Sequence, residues 1–451
     1  MSKTTKAVLF TLLGVVLGLA AGSVCNNFVQ AKQSVADTSM WNFEKTEAEA
    51  VTGSAFTYYA YPSKDNQKAW IYKIDFNSSE NAEHLDIPEK INGKTVTRLG
   101  WKYDPNDPDV DMGYKNIFGY ETDRGHGCYG SGVMVNLIGK VSIPNTVTYL
   151  ERDTFSEMTM LKEIDIPDSI DTLPYEVLCG CRSLVKVTLP RSLKSISSAA
   201  FDECYSLSDV TIDPSCKKYG TKDSCIIEKK NNALFLCYAD GKKYNIPKGI
   251  KILRSGAFDI CRAETVHIPA SVTMIEESAF SLHYNQYTSV RYVKNVTVDK
   301  KNKVYAKDGQ TIYNKKDGSL SISIFKGKKV HRMSNKVKKL TADQNYVIGD
   351  SQGLDTDYSM EKLYVSKNLK TVEKDGWGEL PDFTLKFYFT SLKPPKILVK
   401  KTDRCTLLPD YMYIYVPKKA NKAYIKLYKK YDYYNDSIEE WQWHTYKKQP
   451  K

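Results

Sequence analysis

Aliphatic residues recur along the middle of the chain at fixed distances from Ile-Pro and Leu-Pro dipeptides. Pro144, Pro167 and Pro190 lie 23 residues apart, and Pro247 and Pro269 lie 22 apart. Three residues after each proline stands Val147, Ile170, Leu193, Ile250 or Val272, and six after it Leu150, Leu173, Ile196, Leu253 or Ile275. Eleven after it comes Phe155, Leu178, Phe201, Phe258 or Phe280. The slot at fourteen holds Met158, Cys181, Cys204 or Cys261, soft apolar groups that fill a core layer without needing a hydrogen-bond partner. Each unit closes on alternating positions (Leu161, Ile164, Ile166; Leu184, Val187, Leu189; Leu207, Val210, Ile212), the period-two pattern of a short strand with one buried face. The following proline lacks a backbone donor and fixes φ, so it ends each strand and turns the chain away. A unit this short cannot bury its apolar side alone. Stacked copies cover one another's ladders, each buried Leu, Ile or Phe contributing about 1.5 to 3 kcal/mol.

The segment from Ile166-Pro-Asp-Ser-Ile170 to Phe201-Asp-Glu-Cys204 resembles the BspA-like leucine-rich repeats of bacterial surface and secreted proteins. Weaker units occur at Leu85 to Trp101, with Ile87-Pro88, Val96 and Leu99, and at Leu363 to Phe383, where Ser366 replaces proline while Leu369, Val372 and Trp377 keep the spacing. The expected fold is a β-rich leucine-rich-repeat solenoid, a curved parallel strand stack with hairpin insertions. The resemblance implies a C-terminal strand and helix closing the last repeat, with Trp441 and Trp443 packed beneath.

The expected organisation is an export signal at 1–31, a Tyr-rich N-terminal β cap at 32–80, and repeats at 81–290 with insertions at 102–139 and 213–245. A hairpin-like insertion at 291–345, degenerate repeats at 346–395 and a Lys- and Tyr-rich α/β cap at 396–451 follow. Asp240-Gly241 and Asp317-Gly318 are expected to form tight turns. In the leader, Lys3 and Lys6 precede an apolar run from Ala7 to Ala21, and Val29-Gln30-Ala31 ends on small residues. An uncleaved anchor is the alternative reading, since Ala7 to Cys25 is long enough to just span a bilayer. Gly22-Ser23-Val24-Cys25 departs from a lipidation motif. No second hydrophobic span follows, so no membrane span is expected after signal cleavage, and the chain is expected to be secreted or held at the cell surface.

Of ten cysteines, Cys25 falls in the leader and the other nine are an odd number, so a full disulfide framework is not expected. Cys216 and Cys225 stand in a polar stretch, where pairing is open. A net charge of +12 favours acidic partners, although it does not choose among sulfated or sialylated glycans, anionic membranes and nucleic acid. The export signal and repeats lead to an expectation of no nucleic acid, and of an extracellular protein or glycan ligand.

Chemistry is sparse. The six histidines form no zinc helix and sit near no cysteine pair of zinc spacing. Cys179-x-Cys181 is too close for the usual metal or redox spacing, and no nucleophile elbow, phosphate loop or dinucleotide fingerprint occurs. Asp107, Asp109 and Asp111, within the acidic loop 104–111, open like a calcium loop, but Gly113 is displaced and Phe118 stands where glutamate should. Arg124-Gly-His-Gly-Cys128 reads as a loop. No catalytic residue, metal site or cofactor is expected, and the chain is read as a non-enzyme.

The remaining candidate is the concave strand face, whose outward residues stand two and four places before the proline position: Lys140 and Ser142, Glu163 and Asp165, Lys186 and Thr188, Asp209 and Thr211, Thr265 and His267, Lys362 and Tyr364. They are polar, mixed in sign and unrepeated, unlike the repeated core. The resemblance implies a non-catalytic binding protein that mediates protein contact or adhesion to host, matrix or other cells. The alternatives are a carbohydrate- or polyanion-binding protein using aromatic and basic cap surfaces, and a structural surface-layer component.

Overall fold

The computed structural model describes residues 38–50, 55–77, 82–101, 114–119, 121–122, 137–280, 293–325, 330–341, 345–348, 361–373, 386–398, 413–431 and 442–447. The leader, the loop 104–111, Arg124 to Cys128, Trp377, Phe383 and Trp441 lie outside them.

The described chain is strand-rich, and its main sheets are parallel because each strand is the same slot of a successive repeat. A first sheet aligns His84–Asp86, Lys140–Ser142, Glu163–Asp165, Lys186–Leu189 and Asp209–Ile212, all parallel. A second aligns Asp240–Asn245, Arg262–Ile268 and Asn295–Val298. A third runs from Val330–Arg332 through Lys362–Val365, Lys386–Phe389 and Tyr413–Pro417 to Gln442–Tyr446. Opposite the first sheet, short strands six residues past the proline form a second parallel ribbon, as in Thr172–Leu173 beside Ser195–Ile196. A separate N-terminal sheet runs antiparallel through Glu47–Ala50, Phe56–Pro62 and Lys68–Phe76, then in parallel through Lys94–Leu99 to Tyr149–Leu150, the strand in the corresponding slot of the first full repeat.

The turn after each strand repeats too. The amides of Val147, Ile170, Leu193, Ile250 and Val272 donate to the carbonyls of Pro144, Pro167, Pro190, Pro247 and Pro269 at 3.0 to 3.4 Å. Serine does the same work where proline is missing: Val337 and Leu369 donate to Ser334 and Ser366. The Ser366 hydroxyl also donates to the Val337 carbonyl at 2.7 Å and accepts from the Asn368 amide.

The aliphatic and aromatic slots read from the sequence are buried, including Val147, Phe155, Met158, Ile164, Phe201 and Phe280. Cys181 and Cys204 donate to the carbonyls of Phe155 and Leu178, one layer back. Cys216 and Cys225 are both free and do not pair with each other. Each thiol turns into its own core layer, Cys216 toward the Leu193 carbonyl and Cys225 toward Lys222. Burial pushes the Cys225 thiol up to about 11, and those of Cys181, Cys204 and Cys237 well above the ordinary range. These four thiols should therefore resist iodoacetamide in the native chain at neutral pH and react fully in denaturant, because the thiolate is the attacking species. Peptide-mapped alkylation checks this, and native labelling of Cys181 or Cys204 would contradict the layer assignment.

The stretch 213–245 is not all insertion. Asp240-Gly241 makes no tight turn; it opens a strand, Asp240–Asn245, in parallel register with Arg262–Ile268. The physical reason is that Tyr244 and Ile246 are buried and Pro247 follows, so the segment meets the same burial demand as every other repeat strand. The hairpin turn falls instead at Asp223-Ser224, both with positive φ, between Tyr219–Lys222 and Cys225–Glu228. Asp317-Gly318 does lie between the antiparallel strands Thr311–Asn314 and Leu320–Phe325, and Gly318 has φ +75°. Val330 to Leu340, within the stretch expected as a hairpin-like insertion, likewise supplies a repeat strand and its turn.

The two hairpins are copies of one design. Tyr219 and Tyr305 accept hydrogen bonds from the amides of Ile196 and Ile275. Lys229 and Lys315 reach back to the carbonyls of Cys216 and Asn302. From Tyr413 on, a strand leads into the helix Asn421–Tyr431, whose Tyr424 is fully buried and donates to the Ser391 carbonyl at 3.1 Å.

Candidate binding surface

Parallel register decides which side chains share a face. In the first sheet Lys140, Glu163, Lys186 and Asp209 are Cα partners in one row, headed by His84; Ser142, Asp165, Thr188 and Thr211 form a second row, headed by Asp86. Between the rows run Leu85, Val141, Ile164, Val187 and Val210, all buried. Alternation therefore puts both rows on the outward face.

Charges alternate along the first row. Lys140 Nζ lies 3.0 Å from Glu163, and this contact is the main reason the Lys140 ammonium is held above its usual range. At the head, His84 Nε2 is 2.8 Å from the Ser142 hydroxyl and 3.2 Å from the Asp86 carboxylate. Asp165, Lys186, Asp209 and Thr211 are exposed.

The second sheet brings Lys243, Thr265 and Asn295 into one row and Asn245, His267 and Thr297 into the other. His267 Nδ1 is 2.9 Å from the Thr297 hydroxyl. In the third sheet Lys362 pairs with Lys386, and Tyr364 stands between Arg332 and Tyr388. Tyr364 departs from the expected exposed position: it is only 5% exposed, because the Arg332 guanidinium and the Tyr388 ring cover its faces.

The sequence reading missed His84, Asp86, Lys243 and Asn245, although all four stand two or four places before Pro88 or Pro247. The spacing rule would have found them had those prolines been used for the outward face. Asn295 and Thr297 had no such signal, because Asp299 stands where proline would. Among the described residues no group of three or more His, Cys, Asp and Glu could hold a metal ion. The Cys179 thiol, beside Cys181, is pushed well up by burial and by the Asp202, Glu176, Glu203 and Glu157 carboxylates.

Residues 135–226 and 231–306 match the model of the BspA type leucine rich repeat region, in six copies. These segments are BspA-type leucine-rich repeats. No curated protein matches the chain. Among solved structures, a leucine-rich repeat protein from Eubacterium ventriosum is similar at 13% identity, with 83% of this chain and 94% of that one covered and a TM-score of 0.36. One from Bacteroides ovatus is similar at 17% identity, covering 87% and 99%, with a TM-score of 0.30. A leucine rich cell surface protein from Faecalibacterium prausnitzii is similar at 14% identity, covering 77% and 90%, with a TM-score of 0.29. The BspA-type assignment rests on the matched repeats, and the leucine-rich-repeat strand order rests on the register described above. Among the described residues no helix is long and apolar enough to cross a membrane.

Proposed function

We propose that this chain is an exported, surface-displayed or secreted binding protein that engages an extracellular protein through the outward face of its first parallel sheet. The observation that carries the reading is the pair of in-register rows His84, Lys140, Glu163, Lys186, Asp209 and Asp86, Ser142, Asp165, Thr188, Thr211. The core rows beneath repeat one apolar type, whereas these outward rows do not repeat. That difference is what a surface tuned to one partner requires, since conserving the stack places no demand on outward side chains. Mixed signs at strand spacing suit a protein partner carrying both charges, with complementarity fixing register more than raw affinity. Export is supported by the basic start, apolar run and small-residue end of residues 1–31.

The test is binding of residues 32–451 to matrix proteins, mucin and whole cells at low and physiological salt. The expected result is salt-resistant binding to a protein partner, weakened at least about tenfold when Glu163, Lys186 and Asp209 are replaced together by alanine. Binding that survives the triple replacement, or none to any member of the panel, would overturn the reading.

A further inference from the structure

The third sheet presents a different chemistry on the same kind of outward face. One row is Arg332, Tyr364, Tyr388, Tyr415 and His444, each the Cα partner of the next. Their side chains stack as a column. The Arg332 guanidinium lies 3.8 Å from the Tyr364 ring centroid. Tyr364 to Tyr388 is 4.7 Å at 18°, Tyr388 to Tyr415 is 4.4 Å at 15°, and Tyr415 to His444 is 4.8 Å at 20°. Ring faces are thereby spent on one another. The hydroxyls of Tyr364, Tyr388 and Tyr415 have no hydrogen-bond partner among the described residues and keep contact with solvent, although Tyr364 and Tyr388 as whole residues are only 5% and 7% exposed. The adjacent row is Val330, Lys362, Lys386, Tyr413 and Gln442.

Charge separates this face from the first sheet. Its two rows hold Arg332, Lys362 and Lys386 and no acidic residue, and none of the three cations is in an ion pair among the described residues. In the first sheet the corresponding lysine is neutralised by Glu163.

We infer that this face is a second binding site, for an anionic polysaccharide laid across the strands, its sugar hydroxyls on the tyrosine hydroxyls and its carboxylate or sulfate groups on Arg332, Lys362 and Lys386. Spacing favours a glycan over other polyanions. The hydroxyl donors recur with the strands, about 4.7 to 4.9 Å apart, and a pyranose unit repeats along a linear glycan at close to that distance. An extended acidic peptide presents same-side groups roughly 6.6 Å apart and falls out of step. Single-stranded nucleic acid binds by stacking bases on open aromatic faces, and these faces are closed.

The full chain is assayed at physiological salt against heparin, which carries sulfate, polygalacturonate, which carries carboxylate alone, neutral dextran, poly-glutamate and single-stranded DNA. Heparin or polygalacturonate should bind, the tighter of the two naming the anionic group, and dextran should not. Replacing Arg332, Lys362 and Lys386 by glutamine should weaken that binding at least about tenfold. The variant Tyr364→Phe/Tyr388→Phe/Tyr415→Phe keeps the ring column and hence the fold. It should weaken glycan binding about fivefold, through lost hydroxyls, at unchanged Tm. Replacing Lys217, Lys230 and Lys242, three exposed lysines elsewhere, removes the same charge and should change affinity less than about twofold. The inference is overturned if neither anionic glycan binds, if poly-glutamate or DNA binds as tightly, if the phenylalanine variant binds unchanged, or if the control lysines matter equally. None of these outcomes bears on the first sheet, whose variants are separate.

Discussion

Replacing Arg98 by methionine should destabilise the chain by about 3 to 5 kcal/mol, the usual cost of leaving one member of a buried ion pair alone. Arg98 and Glu151 are 6% and 7% exposed, and the guanidinium donates to the Glu151 carboxylate from both Nε, at 2.6 Å, and Nη2. Its plane is sandwiched, 3.9 Å from the Trp70 ring centroid on one side and 4.4 Å from Tyr149 on the other. Trp70 is fixed in turn by its indole N–H, which donates to the Gly100 carbonyl at 2.8 Å. Register produces the sandwich: Trp70, Arg98 and Tyr149 are Cα partners on three neighbouring parallel strands, so one arginine joins the N-terminal sheet to the first repeats. Burial already raises the Glu151 carboxyl against the opposing pull of Arg98, so without Arg98 it should take up a proton.

Lysine should not rescue Arg98, because a point charge neither stacks on both rings nor forks onto the carboxylate. Replacing both partners, Arg98→Met with Glu151→Leu, should recover most of the loss, since no charge then remains buried. Urea unfolding of the two single variants and the double variant measures this directly. A single-variant loss below about 1 kcal/mol would place the pair among exposed salt bridges.

Acid should weaken the chain through one histidine. His331 is 2% exposed and pairs with Leu363, so it occupies the row that carries Ile164, Val187 and Leu363 in other repeats. Burial lowers its imidazole to about 4 from the ordinary 6.5. A depressed histidine is neutral in the folded chain while the unfolded chain takes up the proton. Its contribution is thus present above pH 6.5 and is lost as pH falls from 6.5 toward 4, amounting to about 3 kcal/mol in full. Asp153, pushed up to about 8 first by burial and then by Glu176, acts in the opposite sense over an overlapping range. The informative quantity is therefore the difference between the parent and His331→Leu, in which Asp153 cancels. That difference should grow in favour of leucine as pH falls from 6.5 to 4. Parallel stability profiles for the two chains would show that His331 titrates as it does in water.

The repeat was legible because its signal is local: a proline, three apolar slots and an alternating strand recur in sequence wherever stacking must recur in space. Spacing alone also ordered the outward rows, and the missed His84, Asp86, Lys243 and Asn245 obey the same rule. Where proline gives way to Ser334, Ser366 or Asp299 the marker disappears, although the serine turns keep the same backbone hydrogen bond. Nor does local sequence show that Asp240-Gly241 belongs to a strand: a dipeptide's turn preference is a small energy that burial of Tyr244 and Ile246 overrides.

What the sequence by itself determined is the repeat, its buried slots and the alternation that makes Lys140 to Asp209 an outward row. Tertiary structure alone decided which residues from distant segments became neighbours. It stacked Tyr364, Tyr388, Tyr415 and His444 into a column, closed Trp70 and Tyr149 around Arg98, and sent Cys216 and Cys225 into separate layers. It also held Glu157, Glu176 and Glu203 at positive φ, where nothing in their side chains calls for it. The physical reason is common to all of these. Pattern within a segment fixes which face is buried, but register between segments is set by packing over the whole stack, and an aromatic or charged side chain acquires its chemistry only from the partner that register supplies.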